Sequence, residues 1–146
     1  MPRLLPQNLE AVRTRVEDVA QKLFIKQGYA ATTMREIADA AGLTAGGIYV
    51  HFPSKEAIFA AVVERYRAVL AGAENPLHEV MAKTDFPFDL PQLAEAIEKL
   101  VSRHRPYWLL WYVDVLEFEG KHFRSALAPQ AVIELPSLKR RFAELP

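Results

Sequence analysis

Tyr49 and His51 stand beside a run of side chains too small to fill a surface: Ala45, Gly46, Gly47 and Val50. Advancing about 100° per residue from Thr44, Ile48 and Phe52 fall together on one side and read as core anchors. Gly46 and Val50 fall opposite, with Ala45 and Tyr49 on one flank and Gly47 and His51 on the other. A solvated helix would carry Lys, Glu or Gln on such a face. Two adjacent glycines cost about 1 kcal/mol each in helix propensity. That cost is expected where something approaches the backbone closely. The chemistry on offer is contact and hydrogen bonding from a phenol and an imidazole, not proton transfer. A duplex major groove, about 12 Å wide, is the surface that fits.

Reactive chemistry has no comparable constellation. His78, His104 and His122 are scattered, with no pair at the spacing that would place two ligands on one helix face. There is no cysteine, so disulfides and thiolate metal sites are excluded. No Ser or Thr sits in a nucleophile elbow, and no glycine-rich loop could cradle a phosphate. Glu117 and Glu119 flank Phe118 and point to different helix faces. No enzyme, cofactor or metal is expected.

A second concentration is aromatic. Tyr107, Trp108, Trp111, Tyr112 and Phe118, with Phe86, Phe88 and Phe123 nearby, include both tryptophans. They read either as plain core or as a pocket for an apolar or aromatic effector, with Phe88, Tyr107, Trp108, Trp111, Tyr112 and Phe118 as its lining. In the second case the indole N–H and phenol O–H groups are polar handles.

The elements that must position these residues are all helical. Leu9, Val12, Val16, Val19, Leu23 and Phe24 recur at helical spacing up to Gly28. Thr33 to Glu36 has the form of a capping box and opens a short helix with Met34, Ile37, Ala38 and Ala41. Gly42 ends it. Thr44 is the next capping candidate, for a helix of about two turns ending before Pro53. Ser54 caps a long helix carrying Ile58, Phe59, Val62, Val63, Tyr66, Val69 and Leu70. Residues 83–91, with two prolines, read as a loop. A helix follows through Leu93, Ala96, Ile97, Leu100 and Val101, then one from Pro106 to Phe118, broken by Gly120. Residues 121–146 read as a short helix and the start of another. Two short helices joined at Gly42 form a helix-turn-helix layout.

The string from Thr32 to Phe59, TTMREIADAAGLTAGGIYVHFPSKEAIF, together with Ala20 to Tyr29, resembles the DNA-binding signature of the TetR family. The resemblance covers roughly residues 10–60. It implies a three-helix DNA-binding unit joined by a fourth helix to a helical effector and dimerisation domain, divided here as residues 1–56 and 57–146. It also implies that Thr44, Ala45, Gly46, Gly47, Tyr49, Val50 and His51 face the groove, that Thr33 and Arg35 touch it from the preceding helix, and that Lys55 grips a phosphate. Arg35 could instead pair with Asp39 one turn on.

Bulk composition neither helps nor forbids this. The 146 residues are 51% hydrophobic and 25% charged, an ordinary globular balance, with net charge zero. Residues 1–56 carry seven Lys/Arg against six Asp/Glu, a net +1. Positive charge must therefore act locally, and non-specific DNA binding should be weak. No signal peptide or membrane span is legible, so a cytoplasmic location is expected. The expected function is a repressor released from a palindromic operator by a small molecule and acting as a homodimer. The alternative is a helical interaction protein that keeps the shape without operator affinity. Leu138, Phe142 and Leu145 form a short apolar stripe that needs a partner surface, so residues 130–146 are expected to serve the dimer in part, in a chain that continues past Pro146 or lacks a later segment.

Overall fold

The computed structural model describes residues 6–72, 75–77, 90–129 and 143. Phe86, Phe88 and the stripe through Leu138, Phe142 and Leu145 lie outside them. The order is α1 (Pro6–Gln27), α2 (Met34–Ala40), a 3-10 segment (Gly47–Val50), α3 (Lys55–Ala71), α4 (Leu90–Arg103), α5 (Arg105–Phe118) and α6 (residues 121–129). No strand occurs among the described residues, as an all-helical reading requires.

The sequence signals act where expected. Thr33 Oγ1 accepts from the Glu36 N–H at 3.2 Å, and Glu36 Oε2 accepts from the Thr33 N–H at 2.8 Å. Ser54 Oγ accepts from the Ala57 N–H at 3.1 Å and so starts α3. Gly42 takes φ +70°, a left-handed turn that a side chain would strain. One boundary moved: α4 begins at Leu90, inside the stretch expected to be loop. Pro91 is tolerated there because a helix's first turn has no use for its missing N–H.

Val16, Ala20 and Phe24 present one face of α1 every fourth residue, and all are fully buried. They meet Ile37 and Ala38 of α2, Ile48 and Phe52, and Ile58, Phe59, Val62 and Val63 of α3. The same cluster reaches Leu110 of α5 and Phe123 of α6. Phe59 is the hinge of this packing. Its ring lies 5.5 Å from Phe24, 5.7 Å from Tyr29, 5.3 Å from Phe118 and 5.2 Å from His122. The expected division at residues 56 and 57 thus falls inside α3, and the core runs across it.

Polar contacts reinforce the seams. Arg65 of α3 binds Asp18 at 2.8 Å and Glu17 at 3.3 Å on α1. Asp114, fully buried on α5, accepts from the backbone N–H groups of His122 and Phe123 and so caps α6. Asp114 Oδ1 also lies 2.8 Å from His122 Nδ1, while His122 Nε2 lies 3.1 Å from Glu56 in the first turn of α3. Lys121 Nζ binds the same Glu56 oxygen at 2.8 Å.

Candidate nucleic-acid interface

The segment after Gly42 is built differently from the two-turn helix its spacing suggests. Thr44 Oγ1 accepts from the Gly47 N–H at 3.0 Å, which begins the turn. Ile48 N–H then reaches Thr44 O at 3.3 Å, whereas Tyr49 N–H reaches Gly46 O at 3.2 Å and His51 N–H reaches Ile48 O at 3.0 Å. The segment is therefore a tight, mixed turn with 3-10 geometry over Gly47–Val50. The physical reason is local: two glycines weaken the α-helix, and the Thr44 hydroxyl offers a competing partner.

Its sidedness is the one expected. Ile48 and Phe52 are buried, while Val50 is 76% and Tyr49 54% exposed. Thr44, Ala45 and Gly46 are exposed, and Gly47 and His51 are half-buried. The two glycines differ in cause. A Cβ on Gly47 would lie 2.8 Å from Thr44 Oγ1, so this position is kept bare by the cap itself. A Cβ on Gly46 would meet nothing within 4 Å, so no neighbour in the fold requires a glycine there.

The flanking residues divide. Arg35 is exposed and no ion pair joins it to Asp39, so its charge is available. Thr33 donates its hydroxyl to Glu36 Oε2 at 2.8 Å, so that donor serves the capping box first. Lys55 requires a correction to the phosphate grip. Its ammonium turns inward to the carbonyls of Tyr29 at 2.7 Å and Thr32 at 2.6 Å, 4.2 Å from the centre of the Tyr29 ring. Two of its three N–H groups brace the turn before α2 by donating to those carbonyls, and the Tyr29 carbonyl also accepts from the Thr32 N–H at 3.1 Å.

Arg13 is the residue that sequence reasoning missed. From α1 its guanidinium donates to the carbonyl of His51, and it lies 4.1 Å from the centre of the Phe52 ring. No sequence signal marks a contact across 38 positions; only the fold brings the pair together.

The aromatic residues do not line a single space. Phe118 belongs to the core, 4.5 Å from both the Tyr29 and His122 rings. Tyr107 stacks on Tyr66 of α3 at 4.5 Å and 14°, and Trp108 meets the same Tyr66 ring at 6.4 Å. Trp111 and Tyr112 face outward, 39% and 60% exposed. Tyr66, absent from the sequence-based lining, is the centre of this cluster. Among the described residues no cluster of His, Cys, Asp and Glu could hold a metal, and no helix is long and apolar enough to cross a membrane.

The family model for bacterial regulatory proteins of the tetR family matches residues 18–62, which hold α2, the 3-10 segment, the C-terminal part of α1 and the N-terminal part of α3. These residues are a TetR-family helix-turn-helix unit. The chain is 43% identical over 70 residues to the HTH-type transcriptional repressor KstR2 of Rhodococcus jostii, covering 48% of this chain and 33% of that protein. It is 42% identical over 64 residues to the regulator AcrR of Shigella flexneri, covering 44% of this chain and 30% of AcrR. It is 36% identical over 106 residues to the regulator SrpR of Pseudomonas putida, covering 73% of this chain and 46% of SrpR. The chain thus spans less than half the length of each of these HTH-type relatives. In fold it is similar to the fatty acid degradation regulator FadR of Bacillus halodurans, with TM-score 0.59 and 19% identity over 98% of this chain and 69% of that one.

Proposed function

We propose that this chain is a DNA-binding transcriptional regulator that lays the Thr44–His51 segment in the major groove. The observation that carries the reading is the sidedness of that segment: Ile48 and Phe52 are locked into the core while Ala45, Gly46, Tyr49 and Val50 are presented outward. Val50 and Ala45 touch thymine methyl groups, the open spot at Gly46 lets the backbone approach, and Tyr49 and Arg35 hold phosphates. With few side-chain donors on the face, DNA shape supplies much of the specificity.

The regulator acts as a homodimer on a two-fold symmetric operator, with half-sites about one helical turn or a multiple apart. Residues 130–146 contribute to that dimer. An apolar effector bound beside α3 and α5 releases it, which requires the ligand to prefer the arrangement that does not bind DNA. The family match and the repressor named among the relatives support this reading. So does the shared helix α3, which carries both Ile58 and Phe59 under the helix-turn-helix and Tyr66 in the aromatic cluster. A titration of fluorescently labelled duplex by anisotropy, with light scattering on the same sample, tests it. Two protomers per selected site support the reading; a strict monomer on DNA removes the palindrome.

A further inference from the structure

We propose that Tyr66 and Trp108 form the polar end of an effector site for a flat, uncharged, apolar molecule bearing one carbonyl-type acceptor. This rests on the effector-release reading above and adds the ligand's chemistry to it.

Tyr66 is 3% exposed, yet its hydroxyl has no hydrogen-bond partner. The indole Nε1–H of Trp108 is likewise buried and unpartnered. Their rings are 6.4 Å apart and inclined by 72°, so two unmet polar groups share one neighbourhood. Buried polar groups are nearly always paired, and each unmade bond costs about 1–3 kcal/mol. Two together call for a cause. An indole N–H can only donate, and a phenol donates readily, so the missing partner is an acceptor. A single water accepting from both would still need acceptors for its own two hydrogens within an aromatic cluster.

The surroundings settle shape and charge. Tyr66 is stacked on Tyr107, and Phe123 lies 6.0 Å from it. From Trp108 the aromatic strip continues to Trp111 at 6.4 Å and to exposed Tyr112 at 5.4 Å. Trp111 and Tyr112 carry this aromatic surface from Trp108 out to solvent, and such a surface suits a planar, apolar body. Burial pushes the Tyr66 phenol up to about 12 and the Tyr107 phenol upward. Burial, aided by Arg103, pushes the His104 imidazole downward. These groups stay neutral near pH 7. Arg65, whose field reaches Tyr107, is committed to Asp18 and Glu17. A carboxylate would be desolvated in this aromatic cluster, so a neutral acceptor is favoured.

The test compares three probes of one shape: fluorenone, which has the carbonyl; fluorene, which lacks it; and fluorene carboxylate, which is charged. Each is titrated calorimetrically into the full chain without DNA. Fluorenone should bind about tenfold more tightly than fluorene, the worth of one to two hydrogen bonds, and the carboxylate more weakly than either. Tyr66→Phe and Trp108→Phe should each shrink the fluorenone advantage while fluorene still binds. Tyr66→Phe should melt no lower than the parent, since it removes an unmet hydroxyl. Equal binding of fluorenone and fluorene, an advantage that survives both substitutions, strongest binding of the carboxylate, or no binding of any probe overturns the proposal. Duplex binding is measured on the same samples. Lost probe binding with intact duplex binding defeats this inference alone; intact probe binding with no duplex binding defeats the regulator reading.

Discussion

The guanidinium of Arg13 donates to the carbonyl of His51, which closes the C-terminal end of the Thr44–His51 segment, and covers the Phe52 ring beside it. An arginine-to-carbonyl clamp of this kind fixes a short 3-10 segment that its own hydrogen bonds hold poorly. Arg13→Gln should cost about 1 kcal/mol of stability and roughly fivefold in DNA affinity, because Arg13 itself is solvent-exposed. Arg13→Lys keeps the charge but not the planar stacking, and should recover only part of the affinity. Denaturant melts and anisotropy on the same variants check this; equal DNA affinity in all three proteins would show that Arg13 positions nothing.

The two glycines should separate fold from recognition. Gly47→Ala forces its Cβ against Thr44 Oγ1, so the cap is displaced and stability falls by about 1 kcal/mol. Gly46→Ala has free space and should leave the melting temperature unchanged or slightly raised. If the backbone approaches DNA at Gly46, the same alanine weakens duplex binding. A Gly46→Ala protein with parental DNA affinity would remove the close-approach reading.

Tyr49 and Val50 are both outward but are assigned different tasks. Tyr49→Phe should weaken all duplexes alike, by roughly 1 kcal/mol for one lost hydrogen bond. Val50→Ala should relax the preference at one or two base pairs, with less effect on random duplex. Competition against a panel of single-base variants reads both. A changed sequence preference in Tyr49→Phe, with none in Val50→Ala, would reverse the assignment.

Acid should loosen the helix-turn-helix through Glu36. The Thr33 backbone N–H and hydroxyl, with Gln27, hold its carboxyl below the ordinary range. A depressed folded value means that its stabilisation is fully present above the unfolded carboxylate range. It is lost as pH falls through the lower folded value. Melting temperature should therefore decline over that acidic window, and Glu36→Gln should flatten part of the decline. Identical pH profiles for the two proteins would show that the capping box contributes nothing through its charge.

Much of this architecture was legible from local rules. Thr33 with Glu36, Ser54 and Gly42 each act through neighbours within three or four positions, so spacing alone reveals them. The sidedness of Ile48 and Phe52 against Gly46 and Val50 survives even though the segment is not a regular α-helix, because both geometries turn by roughly 100° to 120° per residue. What stayed hidden is long-range. Lys55 reads as a free cation until the fold sets two carbonyls above it. Arg13 reads as solvent-facing until Phe52 arrives beneath it. Asp114 sits unremarked in an aromatic run, yet it is fully buried and caps α6 across a turn. Phe118 resembles its aromatic neighbours in sequence but packs on Tyr29 and Phe59, away from Tyr66. Side-chain chemistry names the possible partners; only tertiary placement chooses among them.

The most direct test of the central claim is selection of duplexes from a random pool, followed by anisotropy titration of the enriched site and a scrambled duplex at about 50 and 200 mM salt. The account expects a two-fold symmetric site bound at least about a thousandfold more tightly than the scrambled duplex. It also expects weak binding of the scrambled duplex with a shallow salt dependence, as few neutralised phosphates and zero net charge imply. No enriched sequence, or equal micromolar affinity for both duplexes, would contradict it and leave a helical interaction protein that has the shape of a helix-turn-helix without its function.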